Sequence, residues 1–311
     1  MRVAVTGMRG SLGRVIFERL SAEGYDVVGL SRVAPPSWGS WLHEDYRGPP
    51  ENNTSLQDAS VVIHCAGGGF AQSKEALFQA NFETTDYLVR ALNHAERSAT
   101  LILISSIAAG GPSDFLGRPR RLEDTDEPHS YYGRSKLAAE KSLLRLHRRH
   151  TAITLRLPTC HGGYEYRWAT MFKHLERGLM VLPPPMQMSH IHVRDVADTL
   201  VNLMIRPQAY AQTWNLCAPE SFCWTDLPAM VERLLQRSIR SVSMPRLLVS
   251  SSLIAMLNAI EETGIPPLRY TDKLRDGQFH DWRVDGSRLH HRLNYTPRRG
   301  LEEGLKDMLE R

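Results

Sequence analysis

The hydrophobic pattern of the chain begins as an alternation of two rhythms. Residues 2–6 form a short apolar run, as a strand buried on both faces does. Residues 11–23 then place apolar side chains at Leu12, Val15, Ile16 and Leu20, the spacing of one helix face, and Gly24 stands where a helix C′ glycine belongs. A second strand is expected at 26–30 and a short one near 41–46, after a proline-rich passage. Two more β-branched runs follow at 60–65 and 100–105. Between them residues 75–97 read as a helix. Residues 130–150 read as a long basic helix, followed by a strand at 152–157. Strands alternating with helices predict a parallel sheet covered on both faces.

The rhythm breaks after residue 157. Pro158, Gly162, Gly163 and the run Pro183-Pro184-Pro185 predict loops, with helices at 193–205, 225–236, 245–262 and 301–310. The expected fold is α/β, a doubly wound parallel sheet. Residues 1–157 would form a nucleotide-binding core and residues 158–311 a smaller substrate-binding lobe, some of whose segments return to the core. The stretch 247–260 is the most apolar helix candidate. Core packing is its first reading, an apolar lid or dimer surface the second.

Composition narrows this picture. The chain has 311 residues, 42% of them hydrophobic, so a large core can be buried and disorder is excluded for most of its length. The net charge of +4 is mild and spread out, which leaves a nucleic-acid binder without support. Four cysteines, none in a C-x-x-C pair, argue against a disulfide framework and against a zinc or redox motif. The N-terminal residues run into the first strand with no charged-then-apolar leader, and no stretch is long and apolar enough for a membrane span. A cytoplasmic protein with a small-molecule partner, no membrane and no metal is the expectation.

Thr6-Gly7-Met8-Arg9-Gly10-Ser11-Leu12-Gly13 lies between the first strand and the first helix. Glycines there allow a tight turn and close approach of a pyrophosphate, and the helix N-terminus offers free N–H groups. The core is therefore expected to be Rossmann-type. Users of NAD carry an acidic residue at the end of the second strand to bond the ribose hydroxyls. This chain has Ser31 and Arg32, and Arg9 adds a cation in the glycine loop. An arginine attracts a 2′-phosphate that a carboxylate would repel, so NADP(H) is expected, with NAD(H) as the alternative. Tyr132 and Lys136 form Y-x-x-x-K, which puts both on one helix face. An ammonium beside a phenol stabilises the phenolate, which makes it a usable acid/base near neutral pH. Tyr131 competes, but its i+4 partner is Ser135, not a cation. His190 and His192 alternate as strand residues do and lack a third ligand at metal spacing, so they read as structural. The arginine clusters at 118–121, 145–149 and 298–299 read as solvated faces.

The G-x-x-G-x-x-G spacing resembles the short-chain dehydrogenase/reductase superfamily, and further motifs resemble its extended, epimerase/dehydratase-like branch. Ile63-His64-Cys65-Ala66-Gly67 resembles the fourth-strand element, which implies that Cys65, Ala66 and Gly67 line the cofactor. Asn81 matches a helix asparagine of the branch, and Asp45 an adenine-side contact. In Leu103-Ile104-Ser105-Ser106-Ile107-Ala108-Ala109-Gly110-Gly111 the family pattern implies Ser106 as catalytic serine, with Ser105 the weaker choice. The resemblance also implies that Lys136 holds the nicotinamide ribose. Arg156-Leu157-Pro158…Gly162 resembles the element after the sixth strand and brings Pro158 to the cofactor, with His161 where tyrosine is more usual. His190-Ile191-His192-Val193-Arg194-Asp195-Val196-Ala197 and Leu293-Asn294-Tyr295-Thr296-Pro297 resemble later signatures, so the likeness covers nearly the whole chain. Family members also pair through the Y-x-x-x-K helix, which implies a homodimer.

Within that branch, dehydratases place Asp-Glu after the catalytic hydroxyl and fucose-synthase-like enzymes a cysteine; this chain has Ile107-Ala108. Nucleotide-sugar enzymes often carry an arginine before the H-V-x-D strand; this chain has Met186-Gln187-Met188-Ser189. With Gly67-Gly68-Gly69 and Phe70 also edging the pocket, and a tail resembling dihydroflavonol-reductase-like and hydroxysteroid-dehydrogenase-like members, the expected function is a carbonyl reductase or alcohol dehydrogenase. It would transfer a hydride between NADP(H) and a small uncharged or apolar carbonyl or secondary alcohol. The alternatives are a nucleotide-sugar 4-epimerase or 4-ketoreductase and, more remotely, a non-enzymatic NADP-sensing protein.

Overall fold

In a computed structural model, residues 1–31, 37–43, 54–69, 73–114, 116–163, 168, 172, 174–250, 252–253, 255–256 and 271–310 are described. The strands, in chain order, are β1 (Arg2–Thr6), β2 (Asp26–Ser31), β3 (Trp41–His43), β4 (Val61–His64), β5 (Thr100–Ser106), β6 (Thr151–Leu157), β7 (Thr159–His161), β8 (Leu179–Leu182), β9 (Gln187–His192), β10 (Thr213–Asn215), β11 (Ser221–Cys223), β12 (Arg240–Ser243) and β13 (Asp281–Trp282). Seven of them form one sheet in the order β10-β6-β5-β4-β1-β2-β3, and every pair in it is parallel. The order reverses between β1 and β4, and a doubly wound sheet binds ligands at the carboxyl ends of such strands.

The apolar runs are continuous because both faces of the sheet are covered. Val3, Val5, Ile63 and Ile102 pack on one side against Ile16 and Leu20 of helix Ser11–Ala22 and Val196 and Leu200 of helix Val193–Ile205. Ala4, Val62, Leu101 and Leu103 pack on the other against Leu88 and Leu92 of helix Thr84–His94 and Ala139 of helix Tyr131–Ser142. Gly24 takes its expected left-handed turn after the first helix, at φ +81°.

Two predicted helices are shorter than their sequence patterns. Residues 75–97 break into helix Lys74–Phe78, a π turn Gln79–Glu83 and helix Thr84–His94. The basic helix expected at 130–150 stops at Ser142, with a 3-10 turn Leu143–Arg145. Asn93 pins that stop, donating to Arg145 O at 2.8 Å and accepting from His147 N at 2.7 Å.

The second half is not purely loop between its helices. β11, β9 and β13 form a small sheet with β7 alongside β9, and β8 pairs with β12. Its core holds Trp168, Met180, Met186, Phe222, Trp224, Leu227, Trp282, Leu301 and Leu305. β10 and helix Val193–Ile205 return to the large sheet. Core packing fails at three described positions of the apolar stretch 247–260: Leu247 is 77% exposed, and Leu248 and Met256 are exposed too. Val249 is buried. The solvated reading of the arginine clusters also fails in places. Arg120 is buried and donates to Pro112 O and Thr125 O, and Arg299 binds Asp195 and Asp198. Tyr295 also donates to Asp195, at 3.1 Å, so two of the late sequence signatures meet in space.

Candidate active site

β1 delivers Thr6 to the carboxyl edge of the sheet, where Gly7 turns the chain with φ +71°. A Cβ on Gly7 would stand 2.5 Å from Ala66 N, so the loop lies directly against the end of β4. Gly10 is the N-cap of helix Ser11–Ala22, and no side chain caps that turn. The first turn of a helix has no i−4 carbonyl for its N–H groups and carries the positive end of the dipole, a setting that suits an anion. The cradle fits the pyrophosphate of a dinucleotide. Arg9 is exposed on this loop, and Ser31 is buried at the end of β2. Arg32 and Asp45 lie outside the described residues, as does Phe70.

A chain of hydrogen bonds ties the next strand end to the π turn. Ala66 N donates to Thr6 Oγ1 at 3.2 Å, which leaves the Thr6 hydroxyl to donate to His64 Nδ1 at 2.6 Å. His64 Nε2 lies 3.1 Å from Thr85 Oγ1, which donates to Asn81 O at 2.7 Å. The sequence of donors assigns neutral His64 with its proton on Nε2. Burial, aided by the charge of Lys136, holds its pKa down at about 3. Burial pushes the Cys65 thiol up to about 12, which disfavours its thiolate near neutral pH. The π turn aims Asn81 inward. Its Nδ2 donates to Gly68 O (2.9 Å) and Ser135 Oγ (3.0 Å), and its Oδ1 accepts from Gly68 N (3.1 Å). A Cβ on Gly67 would meet Asn81 Oδ1 at 2.6 Å and Lys136 Nζ at 3.2 Å; glycine here keeps the strand end open beside that ammonium.

The two neighbouring serines of β5 differ in their surroundings. Ser105 turns into the protein and donates to Glu140, which Arg156 also grips along with Asp126. Ser106, one residue on, lines a cavity of about 480 Å³ together with Tyr132 and Pro158. Lys136 sits behind it, buried, with Nζ donating to Ile104 O at 3.1 Å. Tyr131 faces elsewhere: its ring lies under the Arg275 guanidinium at 4.4 Å. The structure therefore brings Ser106 and Tyr132 to one cavity, with Lys136 one helical turn from Tyr132.

Gly69, Ile107 and Ala108 add to this side of the cavity; most of the remaining wall comes from the C-terminal half and is largely apolar, with Trp168, Met186, Met188, Trp224, Met244 and Trp282 beside Leu274 and Asp276. Asp276 is the one charged side chain among the described residues of that wall. Of these residues, Trp282 stands in the tail that resembles dihydroflavonol-reductase-like members, while Trp168, Trp224 and Asp276 carried no sequence signal, because their cavity neighbours come from distant parts of the chain. His161, His190 and His192 form a buried cluster behind β7 and β9, with His161 Nε2 and His190 Nδ1 2.9 Å apart. Among the described residues no three His, Cys, Asp or Glu side chains have the arrangement a metal ion needs.

A model of the NAD dependent epimerase/dehydratase family matches residues 3–217. The chain is 27% identical over 325 residues to the dTDP-6-deoxy-L-talose 4-dehydrogenase (NAD(P)(+)) of Kitasatospora kifunensis, covering 99% of this chain and 94% of that protein. It is 26% identical over 292 residues to the ceramide reductase of Caulobacter vibrioides, covering 90% and 85%. The fold is similar to that of MoeE5 solved with UDP-glucuronic acid and NAD, with a TM-score of 0.79 at 21% identity, over 100% of this chain and 98% of that one. No helix among the described residues is long and apolar enough to cross a membrane.

Proposed function

The chain belongs to the NAD dependent epimerase/dehydratase family and is an oxidoreductase acting on CH–OH with NAD(P); from that premise we propose a reversible 4-ketoreductase, or 4-dehydrogenase, of a nucleotide-linked deoxy sugar. The observation that carries the sugar is the likeness to a dTDP-6-deoxy-L-talose 4-dehydrogenase along almost the full length of both chains. The apolar wall of Met186, Met188 and Trp282 suits the methyl group of a deoxy sugar. The second reading, hydride transfer to an apolar carbonyl compound, is favoured by the same wall and by the likeness to a ceramide reductase.

The nicotinamide, when bound, supplies or accepts the hydride. Tyr132 gives the proton to the developing alkoxide oxygen or takes it from the alcohol. Ser106 donates a hydrogen bond to that oxygen. Lys136 stabilises the Tyr132 phenolate by its charge and holds the ribose. Asn81, with Gly67, keeps the strand end open for the ring. Gly7, Gly10 and the first turn of helix Ser11–Ala22 hold the pyrophosphate. Ser31 closes β2 without a carboxylate and Arg9 adds a positive charge, which supports a preference for NADP(H). Two copies paired through helix Tyr131–Ser142 in the cytoplasm belong to the same proposal, and light scattering reads the mass.

The test begins with extraction of any bound nucleotide and fluorescence titration with NADPH and NADH. Oxidation of dTDP-6-deoxy-L-talose is then followed by NAD(P)H absorbance, beside epimerisation of UDP-glucose and reduction of an apolar ketone. Turnover of the talose with loss of roughly 10²-fold or more in Tyr132→Phe, cofactor binding kept, is the expected result. Tightly held NAD⁺ with UDP-glucose epimerisation overturns it in favour of internal redox cycling.

A further inference from the structure

The helix that carries Tyr132 is capped at its N-terminus by two acceptors of different origin. Ser130, its own N-cap, accepts from Gly133 N at 3.0 Å. The other comes from far along the chain: Asp272 accepts from Tyr131 N through Oδ1 at 2.7 Å and from Tyr132 N through Oδ2 at 2.9 Å. One carboxylate thus takes two of the N–H groups that a helix start leaves without intrahelical partners, and its charge sits at the positive end of the dipole. Arg275 steadies it, with Nε 3.5 Å from Asp272 Oδ1 while its guanidinium covers the Tyr131 ring.

Ser130 alone would serve to start a helix. What Asp272 adds is a link. It belongs to helix Thr271–Asp276, and the same short helix faces the substrate cavity with Leu274 and Asp276. Trp282, also on the cavity wall, donates its indole N–H to Asp276 O at 3.1 Å. One end of this element therefore touches the space a substrate fills, and the other holds the backbone of Tyr132.

We propose that helix Thr271–Asp276 couples filling of the cavity to the placement of Tyr132, with Asp272 as its positioning residue. The proposal rests on Tyr132 being the acid/base. A substrate that seats against Leu274 and Asp276 settles the helix, and Asp272 then fixes the start of the catalytic helix and with it the reach of the phenol.

The test compares Asp272→Ala, Asp272→Asn and Tyr132→Phe in the full chain. The readouts are hydride transfer with dTDP-6-deoxy-L-talose and with phenanthrenequinone, NADPH affinity, and amide hydrogen exchange. Asp272→Ala is expected to lower kcat about tenfold or more while leaving NADPH affinity within about twofold, since small misplacements of a reacting group cost this much. Exchange should rise at the Tyr131 and Tyr132 amides and stay unchanged in β5 and β6. Asparagine keeps one of the two acceptors and should recover part of the rate; it also serves if the alanine variant does not fold. Normal kcat in folded Asp272→Ala, or a loss shared equally by kcat and NADPH binding with no recovery in Asp272→Asn, overturns the coupling. An inactive Tyr132→Phe beside a normal Asp272→Ala sinks the coupling alone. An active Tyr132→Phe sinks the acid/base reading itself.

Discussion

The two walls of the active-site cleft hold their shape by different means. The wall at the carboxyl edge of the large sheet is tied by directional bonds: Thr6 to His64, His64 to Thr85, Thr85 to Asn81, and Asn81 to Gly68 and Ser135. The facing wall is held mainly by apolar and aromatic contact, with ring centroids 5.4 Å apart for Trp168 and Trp224 and 5.1 Å for Phe222 and Trp224, and with indole bonds from Trp168 to Cys160 O and from Trp282 to Asp276 O. Hydrogen bonds fix direction as well as distance. Apolar burial is non-directional and tolerates swaps that keep volume. The first wall is built to hold one reaction geometry; the second, apart from helix Thr271–Asp276 with its Asp272 link to Tyr132, can be recut for another substrate without disturbing it.

The strongest way to break this comparison is to remove the cation of the polar wall. Lys136→Met keeps most of the buried volume but deletes the charge and the bond to Ile104 O. Turnover is expected to fall by roughly 10²–10⁴-fold, the range for losing acid/base support. A fall of less than about tenfold would place the acid/base elsewhere.

Next in size is the anchor behind the apolar wall. His190 and His192 are buried neutral, and burial lowers each pKa to about 4, with Arg194 acting in the same direction on His192 and Asp195, Asp307 and Glu220 opposing. His161, packed against both, is lowered further by burial and by its two neighbours. Unfolded histidine titrates near 6.5. The stabilisation from keeping these rings neutral is therefore complete above about pH 6.5 and is lost as pH falls from there towards about 4, to the extent of about 3 kcal/mol for one histidine. Melting temperatures measured from pH 7 down to 4 should fall over this window, less steeply in His192→Gln. A flat profile in the unaltered protein would show that the rings titrate alike in the folded and unfolded chain and are not held neutral by burial.

The polar wall was largely legible in the sequence because its parts are consecutive. Val3 and Val5 alternate with Ala4, Gly7 follows at once, and Tyr132 and Lys136 share one helix face. The split between Ser105 and Ser106 came from a family pattern; its physical reason, Ser105 turned to Glu140 and Arg156, needs residues far apart in the chain. Asn81 was placed on a regular helix because the π turn at Gln79–Glu83 leaves the apolar spacing almost undisturbed. The other wall was poorly legible. Strands of two to four residues such as β7 and β13 are too short to show a period, and Asp272 reaches Tyr132 from across the chain. The neutral stretch before His190 weighed towards an uncharged substrate, whereas the full-length likeness weighs towards a sugar nucleotide. That disagreement lies in the wall whose packing constrains chemistry least.

A smaller change sharpens the cofactor side alone. Gly7→Ala puts a Cβ against Ala66 N in a left-handed backbone, which costs a non-glycine residue roughly 1–2 kcal/mol before any steric clash. That strain is a cost of folding; what binding reads is the displacement of the loop by the clash with Ala66 N, and NADPH affinity is expected to drop about tenfold or more. Titration of the variant checks it, and unchanged affinity would mean that the loop does not carry the pyrophosphate.

The smallest expected effect decides whether the walls are separable at all. Met188 leaves β9 towards the cavity, while its neighbour Ser189 turns the other way and accepts from Val284 N at 3.0 Å. Met188→Ala therefore trims the apolar wall without touching the bonds that hold its strand. The lost contact is on the order of 1–2 kcal/mol and should be felt by substrate and transition state alike. KM is then expected to rise several-fold, with kcat and NADPH affinity unchanged. If kcat falls and KM does not, the apolar wall is helping to set the reacting geometry, and the division of labour between the two walls is wrong at its centre.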